Sequence, residues 1–414
     1  MSPPRANYGW ARFLGDCAGG VIAALIALPY GLALATAMGL PPVLGIFTSI
    51  LTAPVISLMG RNPVLIGGTA SATVPFIAVA VRAGGVAAAA RLSILASVIL
   101  IGFGFLRLGR YIMRVPHAVV TGFSCGIGGM MLVSQLDIMF GVASPLTRPA
   151  GSAIAQLLAV LHHLGDVRAV PLILGVSVMV AATVAARLSH RAPAPLVGVA
   201  LAILIGRFFG FHTKEVGALP AMLPPLAGIS WNLHEVLATI PSAAGLAFVS
   251  AVNILITSRV VEHFRGRHKR MKPGDADAEL SAYGTANILG GLFGAPPSVG
   301  IPARSLAVVR CGGTTRVSNL MHALFLVVIL WLGSGLVERI PIPALAGVTA
   351  WMGLCLLDWS AWRRLPKMSR VDASAFLATA IAVMAVVIGC SIYGLAWLYQ
   401  RRLRPAPVPD LQVP

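Results

Sequence analysis

Apolar runs, each about the 20 residues that a helix needs to cross a bilayer, follow one another along the whole chain. Only short breaks of Arg, Pro and Gly separate them. The pattern predicts helical spans near 19–38, 42–59, 64–82, 90–108, 116–136, 168–187, 193–210, 240–260, 279–294, 302–311, 317–336, 341–358, 371–388 and 389–401. A further apolar piece, 150–166, predicts a helix lying in the interface. Asp275, Asp277 and Glu279 precede the ninth span and read as helix-start residues, since carboxylates favour the positive end of the helix dipole.

Two of these runs do not read as ordinary spans. "RNPVLIGGTASATVPFIAVAV" at 61–81 begins as an extended apolar stretch, passes through the small residues Gly67 to Ser71, and only then becomes helix-compatible. "GAPPSVGIPARSLAVVR" at 294–310 repeats that order, with Pro302 suited to a first helical turn and Arg304 just inside it. They are the third and tenth spans, equivalent places if spans 1–7 and 8–14 form two repeats of about 14–210 and 240–402. Paired interrupted spans mark a mid-membrane substrate site in inverted-repeat transporters. Two half-helices starting mid-membrane aim free amides and positive dipole ends at one point, where an anion gains hydrogen bonds. Thr69, Ser71, Thr73, Ser298 and Ser305 add candidate hydroxyl donors, and the Arg304 guanidinium strengthens the field.

Composition narrows the class. The 414 residues are 57% hydrophobic and 11% charged, with a mean hydropathy of +0.87. A soluble domain carries about 25% charged residues, so this is an integral membrane protein with roughly 12–14 crossings and no room for an appended soluble domain. A net charge of +18 would suggest nucleic acid in a soluble chain. Here the cations gather in short connectors, which reads as a topology signal and attraction to anionic lipid, with no nucleic-acid partner. "RLGRYIMR" at 107–114, "RLSHR" at 187–191, "RGRHKRMK" at 265–272, "RRLPKMSR" at 363–370 and "RRLR" at 401–404 fall on one side with Arg5 and Arg12. Both termini are therefore expected to be cytoplasmic, with residues 403–414 a short tail.

Chemistry beyond transport finds little support. The five cysteines form no CxxC pair or zinc spacing and most read as apolar fillers, and the nine histidines show no ligand spacing. His162–His163 and His263/His268 read as interfacial or loop residues. No His/Asp, Ser/His or metal-ligand set lies within the spans, so an enzyme is disfavoured and no cofactor is expected. The first twenty residues lack signal-peptide order, so the first span is expected to stay in the mature protein.

Several stretches resemble the SulP family of anion transporters, the sulfate permeases whose animal members include prestin and pendrin. They are "ALPYGLALATAMGLPPVLGIFTSIL" at 27–51, "VPHAVVTGFSCGIGGMMLVSQLDIMFG" at 115–141, "ELSAYGTANILGGLFGAPPSVGIPARSLAV" at 279–308 and "IPIPALAGVTAWMGLCLLDW" at 340–359. The resemblance implies an all-α polytopic fold of 14 transmembrane segments in two inverted seven-segment repeats, the uracil-permease-like fold. Short strands are implied in segments 3 and 10, and a core bundle moving against a gate bundle that often mediates dimer contacts. Carried over residue by residue, Arg304 matches the arginine near the anion site, and Ala303 replaces a serine often found before it. Gly300 and Ser305 match small or hydroxylated positions, and Gly68, Thr69, Ala70 and Ser71 fall in the segment that lines the site. Close helix packing is the competing reading for these small residues.

Three departures bear on function. The usual Pro-Gln of the first helix is Pro29-Tyr30, a phenol that still donates but fills more of the pocket, with packing as its alternative. The usual carboxylate of the eighth helix is Asn253, one turn before Thr257. An amide ligates Na⁺ but takes up no proton at working pH, so sodium assistance stays open while proton coupling there is not expected. Most members end in a cytoplasmic STAS domain, and none is expected here, where the sequence reaches Pro414 just after the last span.

The expected activity is secondary transport of a small inorganic anion of the sulfate, bicarbonate or chloride class across the cytoplasmic (inner) membrane, by alternating access and as a homodimer. An anion channel or a prestin-like non-transporting sensor is the alternative. A nucleobase permease is less favoured because Asn253 is not the carboxylate such a site needs, and a dicarboxylate remains a further candidate.

Overall fold

The computed structural model describes residues 9–109, 117–142, 164–188, 193–217, 223–265 and 273–381. The expectations for most of 150–166, for His162–His163 and His268, and for 389–401 fall outside these residues. Helices dominate: α1 (Trp10–Ala37), α2 (Leu44–Met59), α3 (Val74–Phe105), α4 (His117–Phe140), α5 (Ala169–Leu188), α6 (Ala194–Phe208) and α7 (Leu233–Phe264). After them come α8 (Pro273–Leu292), α9 (Pro302–Arg310), α10 (Val317–Val337), α11 (Ile342–Leu356) and the short α12 (Trp359–Arg364). Residues 370–381 are helical as well. Five helices among the described residues are long and apolar enough to cross a bilayer by length and composition alone.

The elements follow the hydrophobic pattern, with informative shifts at their ends. α3 runs through both the third and the fourth apolar runs, broken by non-helical backbone at Gly84 and by Gly85 at φ +66°. Only a residue without Cβ reaches that left-handed conformation at no steric cost, so the glycine pair makes the bend between the two spans. α8 starts at Pro273, earlier than the apolar count suggests. Its carboxylates are consequently not all helix-start residues. Asp275 lies in the first turn, whereas Asp277 accepts from the Gly109 amide at 3.0 Å. Glu279 is fully buried and accepts the amides of Arg61, at 2.6 Å, and of Asn62. Buried carboxylates need such donors, and a neighbouring loop supplies them.

Two packing groups emerge. In one, α3 lies along α7 and α8, α2 along α8 and α10, and α1 along α10 and α9. In the other, α11 packs on α4 and α5, and α5 on α6. α1 touches both groups, meeting α11 and α6. Helices approach closely through small residues, because lipid offers no hydrophobic drive for them to associate and backbone contact must supply the attraction. The α1–α2 crossing is the tightest example: a Cβ on Gly45 would lie 1.9 Å from the Gly31 carbonyl oxygen.

Where the first group ends beside the start of α1, hydrogen bonds tie its non-helical arms together. Asp16 of α1, fully buried, accepts the Thr314 amide at 2.7 Å, the Thr315 amide at 3.1 Å and the Thr315 hydroxyl. Arg316 donates to the carbonyls of Leu58 at 3.1 Å and Gly60 at 2.9 Å. Asn62 donates to the Ser258 hydroxyl of α7 at 3.1 Å. Together with Glu279, this belt fixes the ends of both interrupted segments to α1, α7 and α8.

Gly45→Ala is expected to destabilise the protein by about 1–3 kcal/mol, the usual range for overpacking, because backbone rather than a movable side chain opposes the new methyl. Gly102→Ala, with nothing within 4 Å of its Cβ position, is expected to be neutral or stabilising by up to about 1 kcal/mol. Thermal unfolding of the two purified variants checks both.

Candidate functional site

The site is built by two short strands. β1 (Gly67–Thr69) and β2 (Ser298–Gly300) pair antiparallel, with Gly67 opposite Gly300, Gly68 opposite Val299 and Thr69 opposite Ser298. A strand pair this short is not stable alone, so side chains of the surrounding helices hold it. Asn287 of α8 makes a reciprocal pair with Ser298, accepting its amide and donating to its carbonyl, both at 2.8 Å. Thr69 donates to the Gly45 carbonyl at 3.0 Å. The Ile66 amide donates to the Ser305 hydroxyl at 2.9 Å, and the Ile301 amide to the Ile66 carbonyl at 2.9 Å.

Each strand runs directly into a helix start. Ser71–Thr73 form a 3-10 turn leading into α3, and α9 opens with Pro302 in its first turn. Neither start has a side-chain cap. First-turn amides such as those of Ala303 and Arg304 have no intrahelical acceptor. Two uncapped N-termini therefore open side by side from one strand pair. Ala303 and Pro302 are exposed, and Ser71, Ile301, Tyr30 and Asn253 half-buried, so this is the more open side of the strand pair.

Arg304 lies behind that face. Its side chain is 1% exposed, donating to the Ser49 hydroxyl of α2 at 3.2 Å and, more loosely, to the Gly67 carbonyl at 3.5 Å. Its Nε has no partner, and no carboxylate among the described residues pairs with it. The guanidinium rests against Gly68, where a Cβ would stand 2.0 Å from its terminal nitrogen. Glycine is required there to let the charge lie along the strand. The Tyr30 phenol is within electrostatic reach of Arg304 and of Cys355 on α11, and buried His322 of α10 is within reach of Arg304 as well.

The residues singled out from sequence divide into three sets. Gly68, Arg304 and, electrostatically, Tyr30 converge. Ala303 and Ser71 sit at the open helix starts, with Ala70 buried just before Ser71. Ser305, Thr69 and Thr257 serve the scaffold: Ser305 donates to the Ile301 carbonyl at 2.9 Å, and Thr257 to the Gly300 carbonyl at 3.1 Å. Thr73 donates to the Ala70 carbonyl at 2.8 Å. Their donor hydrogens are thus engaged with backbone, because burial leaves carbonyls as the nearest acceptors. Asn253 is half-buried on α7, the helix that carries Thr257 against Gly300.

Sequence reasoning passed over Ser49, Asn287, His322 and Cys355. Asn287 and His322 had a readable signal, since an amide or imidazole inside an apolar span is rarely without a role. Ser49 had none, since a single serine in a helix is common. Cys355 is exposed, whereas Cys125 is buried.

Residues 13–379 match the profile of the sulfate permease family. The bicarbonate transporter BicA of Picosynechococcus sp. is 30% identical over 404 residues, covering 92% of this chain and 69% of that protein. A probable sulfate transporter of Mycobacterium tuberculosis is 30% identical over 408 residues, covering 93% of this chain and 71% of that protein. Among solved structures, the transmembrane domain of a cyanobacterial BicA superposes with a TM-score of 0.85 at 26% identity, over 92% of this chain and 97% of the domain.

Gly68→Ala is expected to push the Arg304 guanidinium off the strand while leaving the helices in place, since the clash is with a flexible side-chain end. Anion affinity, read by isothermal titration of the purified protein, is expected to fall by about tenfold, the size of one lost charge-assisted hydrogen bond. An unchanged affinity would show that the Gly68–Arg304 contact does not set the site.

Proposed function

The chain belongs to the sulfate permease family, and from that premise we propose that its anion binds between the uncapped starts of α3 and α9, in the field of Arg304. The protein is a secondary anion transporter, not an enzyme, and works by alternating access. Relatives named for sulfate and for bicarbonate support a small inorganic anion as the cargo.

One observation carries the site: a fully buried guanidinium, with no carboxylate partner among the described residues, lies behind two helix N-termini without side-chain caps. A buried unpaired cation is unfavourable by several kcal/mol, and a bound anion supplies the missing charge. Ala303 and Ser71 then offer backbone amides, and Tyr30 a hydroxyl, at the open face. Ala303 has no hydroxyl of its own, so recognition there rests on the main chain.

In this reading the group containing α1–α3 and α7–α10 carries the anion and moves against the group of α4–α6 and α11. The two repeats extend over about 14–210 and 240–402. The protein acts in the cytoplasmic membrane with both termini inside, as a homodimer. Asn253 cannot carry a proton, so uptake is independent of proton coupling at that position, and a Na⁺ ion is the cation that its amide and Thr257 suit.

Arg304→Ala in proteoliposomes is expected to lower sulfate or bicarbonate flux at least tenfold at subsaturating substrate, charge-assisted contacts being worth about 1.5–3 kcal/mol. Wild-type flux in that variant would sink the role of Arg304. A panel of sulfate, bicarbonate, chloride and a small dicarboxylate, each with and without Na⁺, identifies the cargo. Asn253→Ala is expected to abolish any Na⁺ stimulation that the panel reveals. Single-channel currents, or voltage-dependent capacitance without flux, would instead favour a channel or a sensor.

A further inference from the structure

The connector after α11 is an ordered elbow. Asp358 caps α12 by accepting the amides of Ser360 and Ala361, each at 3.0 Å, and the Ser360 hydroxyl at 2.6 Å. Leu365–Lys367 follow as a 3-10 turn. The inner side is anchored to the group of α4 and α11: Ala361 and Phe376 are buried with Cys125 of α4, and Trp362 meets Phe376 edge-on at 5.2 Å. The Asp358 amide reaches the Cys125 sulfur at 3.4 Å.

The outer side carries an uncommon pairing. Trp359 is 58% exposed and Trp362 39%, beside exposed Arg363, Arg364, Lys367 and Arg370. Arg364 folds back onto Ser360, with Nε to its carbonyl at 3.2 Å. Arg363, Lys367 and Arg370 have no acidic partner among the described residues. Asp372, the other nearby acid, accepts the Ser369 hydroxyl at 2.7 Å. A water-facing loop would gain nothing from exposed tryptophans. At a bilayer surface their rings settle at headgroup level, and unpaired cations beside them meet phosphate.

We propose that the elbow from Trp359 to Arg370 binds anionic phospholipid of the leaflet it faces. Trp359 and Trp362 lie among the glycerol and upper acyl groups, and Arg363, Lys367 and Arg370 hold the headgroup phosphates. The elbow is continuous with α4 and α11, so the bound lipid braces that group in the membrane. This last clause rests on the alternating-access reading, whereas lipid binding itself does not.

The test uses the full chain in neutral detergent, titrated with phosphatidylglycerol or phosphatidylcholine, with lipid occupancy read by native mass spectrometry. Wild type is expected to prefer phosphatidylglycerol. One cation near an anionic surface is worth about a fivefold change in affinity. The triple variant Arg363→Gln, Lys367→Gln, Arg370→Gln is therefore expected to bind that lipid about 100-fold more weakly. Lys367→Gln alone, should the triple variant not fold, is expected to lose about fivefold. Arg207→Gln, at the far end of α6, is expected to bind as wild type. Equal affinity for the two lipids, or wild-type binding by the triple variant, overturns the proposal. So does displacement of the lipid by millimolar glycerol phosphate, which would mark a soluble-phosphate site. Since none of these readings measures flux, their failure leaves the assignment of transport untouched.

Discussion

A buried guanidinium with no carboxylate partner among the described residues is the constraint on which the rest of this structure depends. Arg304 cannot face lipid, and it cannot be left dry without a cost of several kcal/mol. The protein surrounds it with polar main chain instead. Two helices are replaced for part of their length by strands, which bring the Gly67 carbonyl to the charge and open two sets of first-turn amides on the opposite side. Strand backbone inside a membrane is tolerable only where it is enclosed by protein or lines a cavity. The first condition holds here, since β1 and β2 are both buried.

Everything around the strand pair keeps it in register. Asn287 takes both main-chain groups of Ser298, and Thr257 takes the Gly300 carbonyl. Farther out, Asp16, Glu279 and Arg316 bind the backbone where the two interrupted segments end. The Asp16 and Glu279 carboxylates accept main-chain amides there, and so fix the loops. The same arrangement explains how a packed group could carry an anion as one body: its irregular segments are tied to neighbouring helices at both ends.

Much of this was legible in the chain. The apolar periodicity located the helices, and the order of extended, small and helix-compatible residues at 61–81 and 294–310 marked both interrupted segments. Pro302 marked the start of α9 correctly, because proline is suited to a position whose amide needs no partner. The hydroxyls were harder to place. Ser305 and Thr69 look like site donors in sequence, but their orientation depends on which carbonyl lies nearest after folding, and here it is the scaffold's. Glu279 looked like a helix-start residue because the apolar run begins after it, whereas the helix itself begins at Pro273.

The sequence by itself determined that this is a polytopic membrane protein with two interrupted segments and an arginine at one of them. Hydropathy and local conformational preference are properties of neighbours along the chain, and they are strong in an apolar solvent that leaves the backbone few choices. Only the tertiary structure decided what Arg304 faces, that Gly68 must lack a side chain to admit it, and that Ser49 shares it. Those contacts join residues some 240 positions apart, and their distances are set by how β1 and α2 pack against α9. No local pattern encodes such a meeting.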